Sequence, residues 1–176
     1  MSHGECCGGT GACRTKTDRE PRLHEDLIVR YLRGVENFDP RVFDLTDEQT
    51  DEAFPRDAGA GLWPVRVLMG HLADAELVYT HRIRRTIAED SPVLALWDEM
   101  AFVDGGLYGA ELRPPVAGFV AAIHTMRRWT AELLISLTPE QWDRRAMHPE
   151  RGEITVLQMV ETAAKHLEHH NQYLQR

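Results

Sequence analysis

His166 and His170 stand four positions apart in the sequence. On a helix that spacing sets two imidazoles about 40° apart around the axis and one turn apart along it, where both can reach one metal ion. Their helical neighbours are apolar: Ala163 precedes His166 by three, and Leu167 and Leu174 flank His170 by three and four. Both imidazoles are therefore expected to face inward. His71 occupies a second stripe of the same kind, with Leu68 before it and Ala75 and Val78 after it at helical spacings. Three neutral ring nitrogens around one divalent transition metal leave positions open for water or substrate, the arrangement of catalytic rather than structural sites. The plainer alternative is three separate histidines, each satisfied by a backbone carbonyl or a water, as buried polar groups commonly are. Spacing favours the metal, and the alternative stays open.

Neighbouring residues narrow the chemistry. In His166-Leu167-Glu168-His169-His170 the residue after the first histidine is Leu167, so Glu168 does not hold the general-base position of a His-Glu-x-x-His protease. His169, beside Thr162, Lys165 and Gln172 at helical spacings, belongs to a polar face and receives no role. Asp74, nearly one turn beyond His71, is the only catalytic candidate, as a partner for a ligand or a bound water; its competing reading is a solvated helix-face carboxylate. His124 sits at the edge of an apolar stripe, and His81 and His148 read as surface residues. Trp97, Asp98, Glu99 and Tyr108 lie in a long connection and are placed to line the mouth of a site, a tryptophan there being equally suited to packing.

Four amphipathic helices position these residues. The first is expected over residues 19–37, the second from Trp63-Pro64 to about Glu89, the third from Pro114-Pro115 to about Leu137, and the fourth from about Thr155 onward. Thr46 and Gln49 form the capping signature of a short extra turn of helix. Pro55 and the stretch 57–61 interrupt the chain, and residues 91–113 read as a long irregular connection of the kind that covers sites. No run alternates with period two for long enough to need a sheet. A weak internal repeat pairs Leu45-Thr-Asp-Glu-Gln49 with Leu137-Thr-Pro-Glu-Gln141, each followed by a turn and a long helix. The second and fourth helices are thus placed equivalently and can present ligands to a shared interior.

Composition bounds the rest. The chain has 176 residues, 43% of them hydrophobic, enough for one domain with a real core. A formal net charge of -8 argues against a nucleic-acid or anionic-membrane binder, both of which need a basic face. No apolar run is long enough for a membrane span, and the opening residues lack the pattern of a signal peptide, so the cytoplasm is the expected compartment. Residues 1–18 form a Cys/Gly-rich tail separate from the bundle at 19–176. Cys6, Cys7 and Cys13 all fall in it, which leaves the body of the domain without a disulfide framework. Together with His3 they offer a second, soft metal site or an exposed redox thiol; a flexible segment is the plainer reading.

Residues 63–76, WPVRVLMGHLADAE, with residues 152–159, GEITVLQM, and the closing HLEHHNQYL, resemble the DinB/YfiT-like superfamily. The resemblance runs from about Arg19 to the C-terminus and omits the cysteine tail. It implies an all-α, unusual four-helix bundle with a long crossover. It also implies one metal-binding histidine on the second helix and a His-x-x-x-His pair on the fourth, which fall on His71, His166 and His170. Zinc or nickel, a homodimer, and either transfer of a low-molecular-weight thiol or metal-dependent hydrolysis follow from the resemblance alone. Three functions are therefore carried forward: a thiol transferase acting on a small electrophile, a hydrolase of a small ester or amide, and a non-enzymatic metal-binding or stress-response protein. The absence of a zincin-type base favours the first over the second.

Overall fold

The computed structural model describes residues 16–52, 63–109 and 111–174 of the chain. The cysteines and the 57–61 interruption lie outside these. Four long helices carry the fold: α1 (Lys16–Leu32), α3 (Val65–Ala88), α5 (Val116–Ile135) and α7 (Val156–Leu174). Between them come α2 (Asp47–Glu52), α4 (Glu99–Asp104), α6 (Pro139–Trp142) and a hairpin of β1 (Arg145–His148) and β2 (Gly152–Thr155). α3 packs on α5 and α7, and α1 packs on the same two, so α1 and α3 stand across one diagonal of the bundle. The connections from α1 to α3 and from α5 to α7 must each cross a diagonal, which is why both are long.

Local sequence explains the helix starts. Thr46 accepts from the Gln49 amide at 3.3 Å while the Gln49 side chain accepts from the Thr46 amide at 2.9 Å. The same reciprocal box joins Thr138 with Gln141, and Thr155 with Gln158. Two of these boxes are the halves of the internal repeat, and each satisfies two amides that a helix start leaves without partners.

Three expectations need correction. The first helix stops at Leu32, not at residue 37, and gives way to a 3-10 turn over Val35–Asn37. A β-carbon added at Gly34 would overlap Leu167 and the Arg127 guanidinium, so the chain turns where only a glycine clears the core. Residues 91–113 include α4, started by Asp98, whose side chain accepts from the Ala101 amide at 3.1 Å. A two-stranded antiparallel sheet exists despite the lack of long alternation: Arg145 pairs with Thr155 and His148 with Gly152. Strands of four residues are too short for a period to register, and the exposed-buried alternation of β1 emerges only once the hairpin lies on the bundle.

The core has two apolar parts. One gathers Tyr31, Ile83, Leu134, Trp142, Val156 and Val160; the other gathers Phe38, Leu68, Met69, Leu72, Ile123 and Leu167. A buried polar layer of Glu76, Thr80, Arg127 and Thr130 runs between them. Thr80 and Thr130 hydroxyls meet at 3.3 Å, and Arg127 donates from Nε to Glu76 Oε2 at 2.7 Å and from its terminal nitrogens to the carbonyls of Tyr31 and Ala163. One side chain therefore ties all four long helices together.

Candidate metal centre

α3 and α7 lie side by side, and three imidazoles converge between them. His71 comes from α3, His166 and His170 from successive turns of α7, with ring centroids 5.1, 5.1 and 4.6 Å apart. One nitrogen from each falls within 4.8 Å of the other two. His71 Nε2 lies 3.2 Å from His166 Nε2. Two nitrogens held at about 2.0–2.1 Å by one tetrahedral ion stand about 3.3 Å apart, so this pair is spaced as co-ligands are. Nδ1 of His71 and of His170 are buried without a hydrogen-bond partner. The donor set and its geometry fit a divalent transition metal.

Burial holds the three rings neutral, as metal ligands must be. It pushes His71 and His170 down to about 4, the latter helped by the nearby His71 and His169. It pushes His166 down to about 3, with His170, His71 and Arg127 adding to the effect. Each folded value lies below the ordinary 6.5, so between 6.5 and about 3 to 4 the unfolded chain takes up protons that the native site refuses. Stability from this source is intact above pH ~6.5 and is lost as pH falls through that window. The chelator-treated chain is expected to lose melting temperature on acidification from pH ~6.5 to ~4 more steeply than a His166→Gln, His170→Gln double variant. Equal slopes in the two proteins would remove the histidines as the cause.

Aromatic and acidic residues enclose the cluster. Trp97 stacks on His71 with centroids 5.5 Å apart, and Trp63 lies against the same ring at 5.0 Å. Glu99 Oε2 stands 3.9 Å from His71 Nδ1, beyond a hydrogen bond but on the side where carboxylates orient metal-bound imidazoles. Tyr79 packs edge-on to His166 at 5.8 Å. These groups line a cavity of about 740 Å³, within the usual range of small-molecule sites, that also takes in Arg82, Asp98, His148, Glu150 and Arg151.

A family model described as the DinB superfamily matches residues 30–174. The chain belongs to the DinB superfamily. Among its relatives, a protein of Oceanobacillus iheyensis named provisionally as a metal-dependent hydrolase is 32% identical over 150 residues, spanning 82% of this chain and 81% of that protein. YfiT of Bacillus subtilis, named in the same way, is 33% identical over 146 residues, 82% of this chain and 74% of its own. The solved structure of YfiT, described as having an unusual four-helix bundle topology, superposes with a TM-score of 0.75, covering 95% of this chain and 89% of that one. Identity over that superposition is 22%. That structure thus speaks for the DinB fold rather than for a shared activity.

The DinB bundle brings together His71, His166 and His170, with Trp97, Asp98 and Glu99 at the cavity. It sends two other candidates elsewhere. Tyr108 is buried over Gly70, where a β-carbon would overlap its ring, and its hydroxyl donates to Asp74 Oδ2 at 2.5 Å. Asp74 faces a different cavity, beside Leu77 and Phe119. His81, His124 and His169 are exposed. His148, read as a surface residue, is instead 5% exposed and lines the histidine cavity. Arg82 and Arg151, a helix-face arginine and a hairpin arginine, carry no local pattern, and Tyr79 reads only as part of its helix's apolar stripe; the hairpin's fold over the bundle unites them at the cavity.

Proposed function

We propose that this protein is a metal-dependent enzyme that holds zinc or nickel on His71, His166 and His170 and directs a low-molecular-weight thiol at a small electrophile. The observation that carries the reading is the convergence of three neutral imidazoles, one buried and two part-buried, within 4.8 Å on the wall of a cavity large enough for two small reactants. A dication with three neutral ligands keeps its full charge and, when bound, lowers the pKa of a coordinated thiol or water enough to give a nucleophile near neutral pH. The chain's own part is placement and exclusion of water. Trp63 and Trp97 cover the two sides of His71, and Glu99 stands where it orients that ring.

The names of the relatives favour a second reading, hydrolysis, with a small ester or amide as the proposed substrate, and Asp98 and Glu99 on the same cavity are carboxylates that such a reaction can use. A homodimer, by family resemblance, and the cytoplasmic compartment expected from the sequence complete the proposal. No helix among the described residues is long and apolar enough to cross a membrane. The non-enzymatic alternative draws on Cys6, Cys7 and Cys13, outside the described residues.

Full-length protein loaded with zinc or nickel is to be assayed with a thiol panel and chlorodinitrobenzene, and separately with p-nitrophenyl acetate without thiol. The proposal expects thiol-dependent turnover that chelation abolishes. Ester cleavage independent of thiol would select the hydrolase, and metal binding without turnover of either probe would leave a binding protein.

A further inference from the structure

The cavity beside the histidines is asymmetric in charge. Its α4 side presents Asp98 and Glu99, the first engaged in capping α4 and the second beside His71. Its hairpin side presents Arg82 from α3, Arg151 from the β1–β2 turn, and His148 at the end of β1, with Tyr79 between them and His166. Among the described residues neither arginine forms an ion pair, whereas Arg30, Arg41, Arg66, Arg85, Arg113, Arg127 and Arg145 each pair with a carboxylate. Arg82 spends one nitrogen on the Ala95 carbonyl at 2.8 Å and keeps the rest of its fork free. Glu150 also lines the cavity and places a carboxylate near His148, and its backbone amide donates to His148 Nδ1 at 3.3 Å, which leaves Nε2–H of His148 as a donor.

We infer that Arg82, Arg151 and His148 form an anion subsite and that the small molecule processed in this cavity carries a carboxylate. Arginine matches a carboxylate with paired donors, and Nε2–H of His148 supplies a third without adding charge. Burial holds the His148 imidazole below its ordinary range, with Arg82 and Arg151 adding to the effect against the opposing Glu150 carboxylate, so His148 stays neutral. Burial also lowers the Arg82 guanidinium, with Tyr79 opposing the shift and the nearby Arg151 adding to it. A carboxylate held here would point the far end of a short molecule past Tyr79 toward the three imidazoles. The inference takes its reacting centre from the metal-dependent reading, but the anion contacts do not depend on a metal.

The test separates the two. Calorimetric binding of 3-mercaptopropionate and of its uncharged amide is measured on full-length protein, metal-loaded and chelated, for wild type, Arg151→Gln and Arg82→Gln. Wild type is expected to prefer the acid to the amide by roughly tenfold or more in either metal state. Arg151→Gln, which breaks no hydrogen bond or ion pair among the described residues, is expected to lose about that preference while binding the amide unchanged. Arg82→Gln should act in the same direction and is read only if its helical circular dichroism and metal content match wild type. Equal affinity for acid and amide in wild type, or a preference that survives both substitutions, overturns the subsite. Failure to bind metal with the preference intact overturns only the metal-dependent reading.

Discussion

Full-length protein carrying His170→Ala is expected to purify folded and with far less metal than wild type, which should hold about one equivalent per chain. Loss of an outer partner of a metal ligand typically costs 10–100-fold in affinity, and removing a direct ligand costs at least that. His170 suits the test because its removal breaks little else. The ring is part-exposed, its Nδ1 has no hydrogen-bond partner, and Leu167 and Leu174 hold the helix on either side of it. His71→Ala should empty the site as well, but that ring is 1% exposed between two tryptophans, and its deletion adds the cost of a cavity. Plasma mass spectrometry on both variants, beside a chain lacking residues 1–18, reads the result. Metal retained in His170→Ala would refute the ligand assignment, and metal lost with the tail would move the chemistry to Cys6, Cys7 and Cys13.

How far sequence reached depended on whether the signal was local. The i, i+4 pair on α7 and the apolar neighbours of His71 are read along single helices, and the two helices that carry them began within two residues of the expected positions. The capping signature at Thr46, four residues long, and its repeat over residues 137–141 marked the two halves in the same way, and both form reciprocal capping boxes. Contacts made across the fold left no such mark. The β1–β2 hairpin is eight strand residues whose alternation is too brief to detect, yet it buries His148 and brings Arg151 to the cavity. Tyr108 sits in the connection expected to cover the site, but the absence of a side chain at Gly70 draws it into the bundle instead. Arg127 and Glu76 read as ordinary polar residues on helix faces. Nothing in their own segments announces that they meet.

Their meeting sets the second large effect: Arg127→Ala is expected to cost about 3–5 kcal/mol in urea unfolding, a large part of the 5–15 kcal/mol that a domain typically has. Arg127 and Glu76 are 1% and 2% exposed, so truncating the arginine strands a carboxylate in the middle of the bundle. It also frees the Tyr31 carbonyl, in the last turn of α1, which accepts from Arg127 at 2.5 Å, and unties the Ala163 carbonyl one turn before His166. The loss should come from stranded groups rather than from the missing ion pair, because desolvation offsets most of what a buried pair gains. The Tyr31 hydroxyl also donates to Glu76, so the comparison is a triple variant, Tyr31→Phe, Glu76→Leu, Arg127→Met, which removes every side-chain partner together. It is expected to recover most of the stability, with the two lost bonds to the Tyr31 and Ala163 carbonyls as the residual cost. If the layer also sets where α7 sits, the triple variant will be stable yet bind metal less tightly than wild type, since Arg127 is what joins the Ala163 turn to the other three helices. An Arg127→Ala cost below about 1 kcal/mol would mean that water reaches Glu76 and that the layer is no barrier between the two apolar halves. Unchanged metal affinity in a stable triple variant would assign the network to folding alone and leave the histidine geometry to the packing of α3 against α7.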